Sequence, residues 1–118
     1  MHRNWISIGA VLGFLGVALG AFGAHGLKKV ASPEQLSWWG TAVDYHLWHA
    51  PVLILLGILQ KDKGGGDLVG WLLLGGVTVF SGTLYAMALG GPTVLGAVTP
   101  IGGVLLIAGW LRLAWFGR

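Results

Sequence analysis

From Trp5 to Ala24 the chain runs without one charged side chain. A hydrocarbon layer about 30 Å thick is crossed by roughly 20 apolar residues rising 1.5 Å each, so this run is long enough to span a bilayer. Three further runs approach that length. In all, 55% of the residues are hydrophobic and 9% charged, against roughly 25% charged in a soluble domain. The reading that follows is an all-α integral membrane four-helix bundle, one domain over 1–118. Its spans are about 5–25, 41–60 within a helix starting near 33, 68–89, and 100–116.

Local signals fix the ends. The first span stops at His25-Gly26, with Gly26 suited to a left-handed cap. Ser32-Pro33-Glu34-Gln35 reads as a capping box with proline at the first helical position. Asp67 is placed to cap the third span, Gly90-Gly91-Pro92 ends it, and Thr99-Pro100 opens the fourth. Gly64 to Gly66 reads as a flexible linker. A cleaved leader is disfavoured, because the first apolar run exceeds the usual 7 to 15 residues of such a signal.

With four spans both termini share a side. Arg3, Lys61, Lys63, Arg112 and Arg118 fall on that side, against Lys28 and Lys29 on the other. The positive-inside rule then puts both termini in the cytoplasm of a cell whose inner membrane holds the protein. Trp5, Trp71, Trp110 and Trp115 are expected at the inner boundary, Trp38 and Trp39 at the outer one, and Trp48 inside the hydrocarbon. The net charge of +3 rests on only seven Lys and Arg scattered between apolar runs, which is no nucleic-acid footprint. The absence of cysteine excludes thiolate chemistry.

Two patterns remain. Gly9, Gly13, Gly16, Gly20 and Gly23 draw one seam along the first span, and small residues let membrane helices approach closely. Gly82, Ala86 and Gly90 form a similar row on the third, and Gly102 and Gly103 open the fourth. These surfaces are read as a homo-oligomer contact or as packing within one bundle. The second pattern is polar. His25, Asp44, Tyr45, His46, His49, Ser81, Tyr85 and Thr99 fall toward the outer half of the spans, where ionisable groups need partners or a purpose. His46 and His49 share a helix face, whereas Asp44 lies about 160° from His46, so those three cannot hold a metal within one helix. The structural reading pairs Asp44 with His25 or Lys28 and ties His46 and His49 to Tyr85, Ser81 or backbone carbonyls. A two-histidine metal site completed by Tyr85, and haem or quinone at His49 and Tyr85, are the competing readings; no resident metal or cofactor is expected.

Four blocks in order, Gly20-Ala21-Phe22-Gly23-Ala24-His25-Gly26-Leu27, Tyr45-His46-Leu47-Trp48-His49-Ala50, Phe80-Ser81-Gly82-Thr83-Leu84-Tyr85, and Thr99-Pro100-Ile101-Gly102-Gly103 with Gly109-Trp110, resemble the domain-of-unknown-function 423 family. That family also includes transmembrane-protein-256-like proteins of animals. The resemblance implies a four-helix protein of the bacterial inner membrane or an equivalent bilayer, and no activity. It carries the family's motif onto His25, Tyr45, His49, Ser81, Tyr85, Thr99 and Pro100, and sets His46 where relatives can have an amide. The expected function is a non-enzymatic small membrane protein embedded in lipid, an oligomer or an accessory subunit of a larger complex. The alternative is a transporter or channel protomer with His25, Asp44 and His49 lining a path. No phosphate-binding loop, nucleophile elbow or carboxylate pair supports other enzymology.

Overall fold

A computed structural model describes residues 4–63 and 66–116. They form helices α1 (Trp5–Ala24), α2 (Pro33–Lys63), α3 (Asp67–Ala88) and α4 (Thr99–Phe116), with 3-10 turns at Leu27–Lys29 and Thr93–Ala97. All four helices are long and apolar enough to cross a membrane. The 31 residues of α2 correspond to about 46 Å of rise and match the 47 Å long axis of the molecule. Helix α2 therefore overshoots the hydrocarbon, as its late crossing point at Thr41 requires.

The caps follow the sequence in part. The Gln35 amide donates to Ser32 Oγ at 3.1 Å and the Ser32 amide to Gln35 Oε1 at 2.9 Å, closing the capping box. At the end of α3, Gly90 takes φ +98°. Its amide donates to the Met87 carbonyl and that of Gly91 to Ala86, the bond pattern of a Schellman stop. Two expectations are corrected. Gly26 is right-handed, at φ −68° and ψ −51°, because the chain turns on into a 3-10 segment instead of reversing. Asp67 is the first residue of α3 and does not cap it; its carboxylate accepts from Trp5 Nε1 at 2.9 Å and Gln60 Nε2 at 2.7 Å. The linker expectation at Gly64 and Gly65, and the charges of Arg3 and Arg118, lie outside the described residues.

Packing follows chain order: α1 on α2, α2 on α3, α3 on α4. Helices α2 and α3 are central and α1 and α4 flank them. The core gathers Trp5, Leu53, Leu56, Val69, Leu73, Val77 and Leu106. Trp5, at the first residue of α1, is fully buried within the protein, because Gly70 leaves room for its indole and Asp67 accepts its N–H.

The glycine seam of α1 is used inside the protomer. A Cβ at Gly9 would stand 2.7 Å from the Ala50 carbonyl and 2.9 Å from the Ile54 amide. One at Gly16 would meet Leu47, and one at Gly23 the Trp39 indole. Gly13 and Gly20 face Ala50 and Val43. Between α3 and α4, Gly102 lies against the backbone of Phe80 and Gly76. Backbones touch at Gly9 and Gly102, which only glycine allows, while Gly16 and Gly23 make room for the Leu47 and Trp39 side chains.

Candidate functional site

The predicted polar residues separate into distinct sites. His46 is buried between α1, α2 and α3. Its Nε2 lies 2.7 Å from the Leu12 carbonyl and its Nδ1 2.9 Å from the Tyr85 hydroxyl. A carbonyl only accepts, so Nε2 carries the proton and Nδ1 accepts from Tyr85. Beside it, Trp39 Nε1 donates to the Leu19 carbonyl at 2.8 Å, and the Trp39 and Tyr85 rings meet edge to face at 4.6 Å. Trp39 and His46 are seven residues apart on α2, and their acceptors Leu19 and Leu12 are seven apart on α1. Two rings on one stripe of α2 thus fix its register against α1.

His49, one turn further on, faces another way. Its Nδ1 donates to the Tyr45 carbonyl in its own helix at 2.6 Å, and its Nε2 accepts from Trp110 Nε1 at 3.0 Å. Trp110 therefore sits level with His49 within the hydrocarbon, not at the inner boundary where the tryptophan pattern places it. An indole N–H among lipid tails needs an acceptor, and that requirement was the signal pointing from Trp110 to a histidine. Tyr85 pairs with His46 and not with His49, since α3 meets α2 on the His46 side. Ser81 Oγ donates to the Ala42 carbonyl at 2.7 Å. Thr99 and Thr83 hydroxyls lie 2.6 Å apart and join α4 to α3.

Each buried histidine spends both ring nitrogens. The lone pairs that a metal or haem iron would use are directed at Tyr85 and at Trp110. The described residues hold no group of three or more His, Asp or Glu placed to take an ion.

Asp44 is exposed in a cleft of about 300 Å³ between α1 and α2, which Lys28 and Trp39 also line. Among the described residues it makes no ion pair with His25 or Lys28, so the expected pairing is not formed: Lys28 follows the end of α1, while Asp44 lies about 16 Å down α2 from Pro33 by helical rise. His25 is exposed beyond α1. His25, Asp44 and His49 consequently do not converge on one path.

On the opposite side of α2, Tyr45, Trp48, His49, Phe80, Gly103 and Trp110 surround a slot of about 330 Å³. Tyr45 packs on Phe80 at 4.4 Å and on Trp48 at 5.0 Å between ring centres. The row Gly82, Ala86, Gly90 has open space beside it: a Cβ at Gly82 or Gly90 would meet nothing within 4 Å.

Over residues 19–103 the chain matches the family model described as "Protein of unknown function (DUF423)". It is 46% identical over 112 residues to a UPF0382 membrane protein of Staphylococcus haemolyticus, covering 94% of this chain and 92% of that one. A Bacillus subtilis relative, the UPF0382 membrane protein YwdK, is 41% identical over 114 residues, covering 94% and 93%. One of Haemophilus influenzae is 38% identical over 118 residues, covering 98% and 94%. No solved structure matches.

Proposed function

The chain belongs to the DUF423 family of membrane proteins of unknown function, and on that premise we propose that it acts by contact and not by catalysis, as an oligomer or an accessory subunit of a larger membrane complex. The reading extends to its place: the bacterial inner membrane, with both termini in the cytoplasm, as the distribution of Lys and Arg favours.

One observation carries the assembly reading. The α1 seam is consumed by α2, yet α3 presents a second small-residue face, Gly75, Thr78 and Gly82, of which Thr78 and Gly82 are exposed. A central helix with a small, open face at mid-span is suited to close approach by another helix, because association in lipid depends on such contact. The polar interior supports the non-catalytic part, since His46 and His49 are engaged at every nitrogen in holding helices together.

Gly82→Leu tests the reading cleanly. A Cβ there meets nothing within 4 Å and the position is exposed, so the fold is expected to persist. Native mass spectrometry after gentle extraction is expected to show the wild type associated with copies of itself or with fixed partners, and the variant released. A wild type that extracts as a lone 12.4 kDa chain refutes assembly, and an unchanged complex in the variant refutes this face.

A further inference from the structure

The slot between α2 and α4 lies near the middle of the spans. Phe80 in its wall is about 20 Å along α3 from Asp67 and about 12 Å from Ala88, by the helical rise. Two hydrogen-bond donors line it without a use, on Tyr45 and Trp48, about 6 and 10 Å below the outer crossing point at Thr41 by the helical rise. Neither the Tyr45 hydroxyl nor the Trp48 indole N–H has a partner among the described residues, whereas every buried side-chain N or O there has one. Trp48 is 59% exposed, at a level where the surroundings are hydrocarbon and the ester and phosphate oxygens of lipids lie at the boundary. Lipid tails offer no acceptor, and an unsatisfied donor among them is costly.

Tyr45 and Trp48 are three residues apart and thus neighbours on one helical face. The remaining walls are Phe80, Trp110, the His49 ring and Gly103, with Leu106 and Ile107 as the aliphatic side. The volume of about 330 Å³ stands at the lower end of small-molecule sites, roughly 300 to 1,000 Å³, and suits one ring system with its tail left in lipid. A matching occupant must dissolve in the membrane, be flat enough to pack on aromatic rings, and carry acceptors without donors. A quinone has this chemistry: a planar ring with two carbonyl oxygens on a hydrophobic tail. We propose that this slot binds the ring of a membrane-dissolved quinone, its carbonyls accepting from Tyr45 Oη–H and Trp48 Nε1–H. The proposal concerns binding alone and stands independently of the assembly face on α3.

The test uses the full chain in detergent and two probes that differ only in the acceptors: a naphthoquinone with a short isoprenoid tail, and naphthalene with the same tail. Each is titrated, and the amount retained through gel filtration is measured by chromatography of an organic extract. The wild type is expected to retain the quinone saturably, approaching one per chain, with the hydrocarbon analogue at least tenfold weaker. Tyr45→Phe and Trp48→Phe are each expected to weaken quinone binding about fivefold, the loss of one neutral hydrogen bond, and to leave the analogue unchanged. Equal retention of both probes by the wild type overturns the proposal, as does undiminished quinone binding in both variants. The wild-type comparison decides the matter if either variant fails to fold.

Discussion

Helix α2 packs directly on α1 but reaches α4 only across a slot, and the two contacts are built differently. Toward α1 the backbones touch at Gly9, Gly16 takes in the Leu47 side chain, and His46 and Trp39 both reach across to α1 carbonyls. Toward α4 a single bond, Trp110 to His49, bridges a partly open aromatic slot. Two histidines three residues apart thus serve unlike ends: one closes a seam, the other spans a gap. In lipid, where apolar burial gives little preference for protein over tails, the difference is set by how closely the backbones can come.

The largest contrast is expected from the glycines. Gly9→Val drives a side chain into the Ala50 carbonyl and Ile54 amide, which are backbone and cannot rotate away. It should cost about 3 kcal/mol or prevent folding, at the upper end of overpacking penalties. Gly103→Val, whose Cβ would meet only Phe80 Cδ1 at 3.9 Å, should change stability by well under about 1 kcal/mol. Reversible unfolding in mixed detergent compares them, and equal losses would erase the distinction between the two sides.

The histidines come next. His46→Ala removes two interhelical bonds and leaves the buried Tyr85 hydroxyl without its acceptor, an expected loss of about 2 kcal/mol. His46→Gln should recover most of this, because an amide can both accept from Tyr85 and donate to Leu12. His49→Ala should lower thermal stability by a smaller amount, about 1 kcal/mol, and Trp110→Phe added to it should cost less than the two changes separately. If His49→Ala proves the more damaging, the assignment of seam and gap is inverted.

The smallest effect is expected from Trp39→Phe. It deletes the bond to the Leu19 carbonyl and keeps a ring against Tyr85 and Phe22. A loss of about 0.6 kcal/mol, the average for a hydrogen bond between membrane helices, is anticipated in the same unfolding assay.

What could be read from the sequence divides along physical lines. Span number, the capping box at Ser32 and the stop at Gly90 were legible because they depend on length and on local backbone rules. The α1 seam was legible from 100° per residue, though not its partner, whereas the face expected to be shared by His46 and His49 is divided: the roughly 60° between them turns one ring to α1 and α3 and the other to α4. Which neighbour each ring meets was not, since four apolar helices can be ordered in several ways without changing any local signal. That is why Tyr85 pairs with His46 while His49 takes Trp110. The sequence also does not say which acceptors the Trp5 and Trp110 indoles take, Asp67 and His49, since both lie on other helices. Asp44 has no partner among the described residues because it lies level with Gly20, which faces Val43, eight residues short of Lys28, an offset fixed only by how α1 docks on α2.

Helices that are consecutive in the chain are also adjacent in space. Every close approach along the α1 seam, from Gly9 with Ala50 to Gly23 with Trp39, is contained in the first hairpin, and Gly102 meets Gly76 and Phe80 within the second. Each pair therefore carries its own docking instructions, and the first can zip up during synthesis before α3 leaves the ribosome. Joining the finished halves then adds the α2–α3 surface and the bonds from Trp5 to Asp67 and from Trp110 to His49. A protein assembled in this order makes its closest backbone contacts within hairpins and leaves its few long-range bonds to the last step, which favours orderly insertion.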